Sequence, residues 1–477
     1  MAALLIEPIQ CAARTTAQAE KPMLRFTTAG SVDDGKSTLI GRILHDAGSV
    51  YDDQLDALRG SSVNRSGGPL DLSLLTDGLK AEREQGITID VAYRHFATPR
   101  RRFLIADTPG HEQYTRNMAT GASTADAAVI LVDARYGLTR QSRRHAYIAW
   151  LLGIRHLLIA VNKMDLVRFE RAIFGRVRAA WDELAGKLPG TSVHLVPVSA
   201  LEGDNVVTRS RRTPWYDGPS LLELLETIDA PAWDTAPPLR FAVQYVIRPH
   251  LDFRGYAGRI DTGSIRPGDP VRVLPSGKRS RVKRIVTYDG DLEQASSPMA
   301  VTLVLEDELD VSRGDWICAE AKPPLVASGF EASVVWMHEK PLQPGADILL
   351  QQGATRAPAL VREIVHRVDP ETMAGRPAAV LELNEIGRVR IESLRPLVFD
   401  RYRDNRQTGA FVLIDRIDNS TLAAGMIEET RAAETQPDDE SGLIEVLETE
   451  RLREFLEAAF RELTRRGAVV NPYPEVK

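Results

Sequence analysis

The sequence predicts an α/β domain with a mostly parallel sheet and helices on both faces, then two all-β barrels and a C-terminal helical tail. Three observations predict it. Between Met23 and about Ile228, short apolar runs alternate with segments of helical spacing, the pattern of right-handed crossovers between parallel strands. After Pro231, Pro237 and Pro238 the texture changes to β-branched runs divided by turn signals. From Arg431 an acidic opening leads into an apolar stripe at helical spacing. A chain of 477 residues has room for this division, at roughly 100–200 residues per domain.

Residues 1–22 read as a loose leader. The run Ala2 to Ile9 lacks a basic leader and contains Glu7 and Pro8, unlike a signal peptide. The first domain, 23–232, opens with a strand from Leu24 to Ala29 and a helix from Lys36 to His45. The interval from there to the strand near Val91 is rich in Asp, Ser and Gly; connections this long are usually functional, and partial helix with mobility is expected. The rhythm resumes with a strand from Phe103 to Ala106 and a helix from His111 to Ala122. Strands follow over Ala127 to Val132, Leu157 to Val161 and Val193 to Val198.

The first barrel, 238–324, has candidate strands Phe241 to Ile247, Gly258 to Asp261, Val271 to Leu274 and Val301 to Leu305. In the second, 329–430, they are Ala332 to Met337, Ala359 to Val368, Ala378 to Leu383, Val389 to Leu394 and Phe411 to Ile417. Within the tail, 431–477, Leu443, Leu447, Phe455, Leu456, Phe460 and Leu463 mark an amphipathic helix that packs on its own protein or on a partner.

Composition narrows the function classes. The formal charge of −6 gives no cationic field for phosphate backbones, so nucleic acid is an unlikely partner. Cys11 and Cys318 are too few for a disulfide framework or a four-thiolate zinc site, and a reducing cytoplasm fits best. No stretch approaches the roughly 20 apolar residues of a membrane span, and no membrane partner is expected.

The first strand runs into Gly30-Ser31-Val32-Asp33-Asp34-Gly35-Lys36-Ser37, the G-x-x-x-x-G-K-[ST] phosphate loop in its strand-loop-helix setting, with Thr38 opening the helix. Its backbone amides converge on the β-phosphate, Lys36 neutralises β and γ oxygens, and Ser37 supplies a hydroxyl to Mg²⁺. Asp107-Thr108-Pro109-Gly110-His111 follows the strand ending at Ala106. There Asp107 can hold Mg²⁺ through water and Gly110 can sense a γ-phosphate. By itself Asp-Thr-Pro-Gly is only a good turn sequence.

After the strand ending at Val161 comes Asn162-Lys163-Met164-Asp165. The Asp165 carboxylate can accept from N1–H and the 2-amino group together, which only guanine offers; the Lys163 stem lies over the base and the Asn162 amide braces the loop. Ser199-Ala200-Leu201 can present a backbone amide to the guanine O6. Four such elements in order, each at a strand's carboxyl end, predict an α/β P-loop GTPase domain that binds and hydrolyses GTP.

These residues resemble the translation-factor-type GTPases and, within them, the large GTPase subunits of bacterial sulfate adenylyltransferases. Further resembling segments are Ala81 to Asp90, Asp107 to Met118 and Leu251 to Gly258, and the likeness spans roughly Met23 to Glu428. It implies that Thr88 joins Ser37 on Mg²⁺ when the γ-phosphate is present, and that His111 orients the attacking water, so that His111, Thr88 and Lys36 form the catalytic set. It also implies a smaller catalytic subunit as partner, holding ATP and sulfate at its own site and forming adenosine 5′-phosphosulfate and pyrophosphate. Coupling to GTP hydrolysis would pull that uphill step forward.

Two rivals remain. One is an elongation-factor-like GTPase acting on tRNA or the ribosome, whose candidate surface is the basic run Lys278 to Arg284, with Arg279, Arg281 and Lys283 on one strand face. More often such a run is a solvated strand edge. The other is a regulatory subunit that binds GTP without cleaving it, against which Thr88 and His111 both argue. Ser66 to Asp71 resembles an adenylylase loop, but its Asp falls one residue late and no apolar strand precedes it, so a flexible loop is expected.

Overall fold

A computed structural model describes residues 23–50, 72–75, 90–111, 115–229, 237–250 and 253–430. The leader, the tail, the Ser66 to Asp71 loop and most of the long interval lie outside the described residues, as does Thr88.

Six strands form the first sheet: β1 (Met23–Ala29), β2 (Ala92–Ala97), β3 (Arg102–Asp107), β4 (Ala127–Asp133), β5 (His156–Asn162) and β6 (Ser192–Pro197). Their order is β2-β3-β1-β4-β5-β6. Every pairing is parallel except β2 with β3, so the sheet is mixed at one edge only. All seven residues of β4 are buried, and they divide by parity between two cores. Ala127, Val129 and Leu131 join the face covered by α1 (Lys36–Asp46); Ala128, Ile130 and Val132 join the face covered by α2 (Thr115–Ser123), α3 (Arg140–Leu151) and α4 (Arg171–Ala185). A fifth helix, α5 (Leu221–Thr227), is started by a capping box between Ser220 and Glu223 and lies on the α1 face. Coverage of both faces is what a parallel sheet needs, since its strands carry no polar face of their own.

In the long interval one 3₁₀ turn is described, Leu72–Leu75, whose buried Leu72 packs against α1. Gly41 permits this approach, because a Cβ there would collide with the Leu72 carbonyl.

Two barrels follow. In the first the order is Pro270–Leu274, Trp316–Ala319, Arg240–Ile247, Gly255–Thr262, Ala300–Leu305 and Arg279–Thr287, closed by pairing of the first with the last. In the second it is Asp347–Gln352, Ala410–Ile414, Thr421–Thr430, Leu325–Trp336, Ile386–Phe399 and Thr355–Val368, closed the same way. Closure removes free strand edges. The basic strand Arg279–Thr287 is therefore no edge: it is paired on both sides, with Arg279, Arg281 and Lys283 on its solvated face. Partners within the barrel engage part of that charge, Glu320 holding Arg279 at 3.2 Å and Asp291 holding Arg284 at 2.6 Å.

The expected strand Ala378 to Leu383 does not form. Pro377 has no N–H to give a ladder, Leu381 makes a single bridge to Leu342, and Asn384 turns the chain at φ 65°. Phe411 to Ile417 ends early, at Ile414, and the strands Trp316–Ala319, Asp347–Gln352 and Thr421–Thr430 were not anticipated. Among the described residues no helix is long and apolar enough to cross a membrane.

The three units share cores. Val335, Val368, Ile386, Tyr402 and Met426 of the second barrel extend the cluster under α3, and the Tyr402 hydroxyl donates to the Leu152 carbonyl at 3.0 Å. Between the barrels, Ala242, Leu274, Trp316, Cys318 and Val398 form a small apolar contact. Beside it Arg240, 3% exposed, makes a two-pronged bond to Asp400, both arms at 2.8 Å. Removing one partner of a buried pair leaves the other charge uncompensated. Arg240→Met is expected to lower the stability of the barrel pair by about 3 kcal/mol, read as a lower urea midpoint; an unchanged midpoint would show that the pair adds nothing.

Candidate functional site

All the described site residues gather where the sheet's carboxyl ends meet the loops. Strand β1 delivers the phosphate loop, β3 delivers Asp107 to His111, β5 delivers Asn162 to Asp165, and the turn after β6 delivers Ser199 to Leu201. In open α/β sheets this edge is where ligands bind.

Gly35 caps α1 in a left-handed conformation, φ 90°, and a Cβ there would meet the Asn162 side chain at 2.5 Å. Ser37 and Thr38 then stand in the first turn of α1, half-buried, at the helix's electropositive end. Val32 and Asp33 form the exposed tip. The Lys36 ammonium lies on the loop itself, donating to the carbonyls of Gly30 at 3.0 Å and Ser31 at 2.9 Å. Burial pulls its pKa down, and Asp107, Asp34 and Asp33 resist.

Gly110 comes against the same point: a Cβ on it would strike Lys36 Nζ and the Gly30 carbonyl. The loop after β3 thus touches the phosphate loop with no side chain between. Asp107, 2% exposed, is oriented by the Thr28 hydroxyl, which donates to its Oδ1 at 3.1 Å. Thr108 is tied down by its own hydroxyl on the Thr28 carbonyl. His111 is exposed at the end of this segment.

On the base side, buried Asn162 spans two loops. Its Nδ2 donates to the Asp34 carbonyl at 2.7 Å and its Oδ1 accepts from the Ala200 amide at 2.9 Å. Asn162 therefore links the loop after β1 to the turn after β6, and it engages the amide of Ala200, one of the three residues Ser199 to Leu201. Ser199 is fully buried, its hydroxyl accepting from the Glu202 amide, while Leu201 is exposed. Lys163 starts a 3₁₀ turn, Met164–Val167, at φ 61°, and Asp165 is half-buried within it.

Several contributors were missed. Asp133, at the end of β4, holds Lys163 Nζ at 3.1 Å and Arg135 at 2.6 Å; burial works to raise its carboxyl, but the Arg135 and Lys163 hydrogen bonds outweigh that and hold it below the ordinary range. Its signal was available, a carboxylate at the tip of the strand next to β1. Arg42 donates from α1 to the carbonyls of Ala200 and Leu201. Thr139 caps α3 and meets the Ser31 hydroxyl at 3.3 Å.

The chain has relatives among known proteins. The family described as elongation factor Tu GTP binding domain matches residues 21–232, and the GTP-eEF1A C-terminal domain-like family matches 329–428. "Sulfate adenylyltransferase subunit 1" of Laribacter hongkongensis is 53% identical, over 94% of this chain and 92% of its own. Its namesake in Shewanella oneidensis is 55% identical over 86% of both chains. "Bifunctional enzyme NodQ" of Rhizobium sp. is 53% identical over 86% of this chain and 64% of its own.

Asp34 gives the site a pH signature. It is 6% exposed, and loss of water pushes its carboxyl up to about 6, opposed by the Ser31 amide at 2.6 Å and by Lys36 and Lys163, and assisted by Asp133. Its ionisation therefore costs folding stability: the cost is absent below the ordinary value of 3.8 and complete above about 6. Asp34→Asn, which keeps an acceptor for the Ser31 amide, is expected to exceed wild type by about 1–3 kcal/mol at pH 7 and to match it below pH 4. Thermal midpoints across that range test this, and equal midpoints at pH 7 would refute it.

Proposed function

The chain belongs to the family of sulfate adenylyltransferase subunit 1, with an elongation-factor-Tu-type GTP-binding domain, and from that membership we propose that it is the GTPase subunit of a sulfate adenylyltransferase. It binds and hydrolyses GTP, and a smaller catalytic subunit takes ATP and sulfate to adenosine 5′-phosphosulfate and pyrophosphate. The observation that carries the reading is the meeting of Gly110, Lys36 and Gly30 at one point, with Asn162 tying the base loops to the same cradle.

Within this reading the phosphate loop, Gly30 to Ser37 with Thr38, wraps the phosphates, and Lys36 turns from loop carbonyls to phosphate oxygens. Ser37 and Asp107, a hydroxyl and a carboxylate, are hard oxygen donors of the kind Mg²⁺ takes, Asp107 through water, and Thr88 adds a third. When bound, the ion neutralises charge on the phosphate oxygens. Gly110 senses the outermost phosphate, and His111 orients the attacking water. Asp165 reads guanine, Lys163 covers the base under the hold of Asp133, and the turn Ser199 to Leu201 closes the O6 side.

Cleavage of GTP removes the group that Gly110 and Thr88 hold, and the partner subunit feels the released loops. Cytoplasmic residence suits the buried free thiol of Cys318. The elongation-factor reading has less support, since relatives at this identity over most of the chain bear the sulfate adenylyltransferase name.

Two measurements test the proposal. Asp165→Asn is expected to weaken GTP by about 10- to 100-fold, because the Asn oxygen still accepts from N1–H while the 2-amino group loses its hydrogen bond to a charged acceptor, about 1.5–3 kcal/mol, and to admit xanthosine triphosphate, whose C2 oxygen accepts where guanine donates. Unaltered base preference in competition binding refutes the Asp165 assignment. For the complex co-purified from native extract, pyrophosphate release with ATP and sulfate is expected to rise when GTP is added. A rate indifferent to GTP, or co-purification with ribosomes or tRNA, overturns the function.

A further inference from the structure

Helix α3 carries two polar side chains, Gln141 and His145, one turn apart on one face. Gln141 is half-buried and His145 is 1% exposed. Gln141 Nε2 lies 2.9 Å from His145 Nε2 and 3.5 Å from the Gly110 carbonyl oxygen. An amide NH₂ donates to both, so the ring nitrogen accepts and His145 carries its proton on Nδ1. Among the described residues that Nδ1 and the Gln141 Oε1 are both buried without a partner. Burial also presses the ring's pKa down to about 3, with Lys36 and Arg144 pushing the same way, so the imidazole stays neutral and keeps its acceptor.

The pair thus reaches from a helix core to the loop that contacts Lys36 and Gly30. The first turn of α3 touches that region twice, since its cap Thr139 meets the Ser31 hydroxyl. At 3.5 Å the Gly110 contact stands at the outer edge of hydrogen-bonding range, as contacts that tighten in a reactive complex often do.

We propose that Gln141 and His145 are positioning residues for GTP cleavage: His145 orients the Gln141 amide onto the Gly110 carbonyl, and that bond sets how the Asp107 to His111 segment presents His111 to the water. The inference rests on the GTPase reading above. Neither side chain touches the nucleotide; both act through Gly110.

Single-turnover GTP hydrolysis by the full chain, with GDP affinity measured on the same preparations, tests it. Gln141→Ala and His145→Ala are each expected to slow cleavage by about tenfold with GDP affinity within about twofold of wild type, and the double variant to be no slower than either, because they act as one unit. His145→Gln, whose Oε1 replaces the accepting ring nitrogen, is expected to recover most of the rate. An unchanged rate in Gln141→Ala overturns the inference while wild-type turnover leaves the proposed function standing. Loss of GDP affinity in step with rate also overturns it, since that is a general effect on the fold. A wild-type chain that binds GTP without cleaving it overturns the proposed function and this inference together.

Discussion

The site depends on one buried amide. Asn162 is fixed at the end of β5 by the sheet, and from there it holds the Asp34 carbonyl in the phosphate loop and the Ala200 amide in the base loop. Both are backbone groups in segments with no ladder of their own, so without Asn162 two buried polar groups would be left to desolvation alone. The requirement explains Gly35, since any side chain there would occupy the space that the Asn162 amide fills. The loops after β1 and β6 are thereby tied into one object by a single side chain.

Charge crowding is the second constraint. Lys36, Asp34, Asp107 and Asp133 are all nearly inaccessible; Asp34 and Asp107 support the Lys36 charge, whereas Asp133 opposes the charge on Asp34 and is itself held by Arg135 and Lys163. Lys36 is the group that desolvation penalises while three carboxylates defend it; Asp34 is the carboxylate that desolvation wins over. A site that keeps acids beside the place for a polyanion sets up repulsion at the outermost phosphate, which cations must offset on binding. Differential stabilisation of this kind is what makes a loop respond to the number of phosphates.

Much of this was legible in the residues, and for a physical reason. The segments Gly30 to Ser37, Asp107 to Gly110 and Asn162 to Asp165 are short, local and ordered along the chain, so their spacing can be read without knowledge of the fold. Gln141 and His145 were not legible because an i, i+4 polar pair on a helix matches no motif by itself; only the approach of α3 to Gly110 gives it meaning. The barrels fared in proportion to local signal. Asp347–Gln352 was missed because its alternation is buried under polar neighbours, and Ala378 to Leu383 was overread because apolar content does not supply a partner strand. Thr88 lies outside the described residues, so its role rests on the motif around it.

The helix that bears Gln141 also bears Tyr147 and Trp150, which pack against the cluster that Val335, Val368, Ile386 and Met426 of the second barrel share. One element therefore has its first turn on the loop after β3 and its later turns on a β-barrel. Close-packed interiors shift between discrete arrangements and do not deform smoothly, so a change at Gly110 large enough to move α3 must repack that shared core. The Tyr402 hydroxyl on the Leu152 carbonyl, just past the end of α3, ties the barrel to the same helix at its far end. Arg240 and Asp400 then lock the second barrel to the first. The packing therefore runs without a break from α3 to the second barrel and on to the first, with the second barrel the one that lies directly against α3.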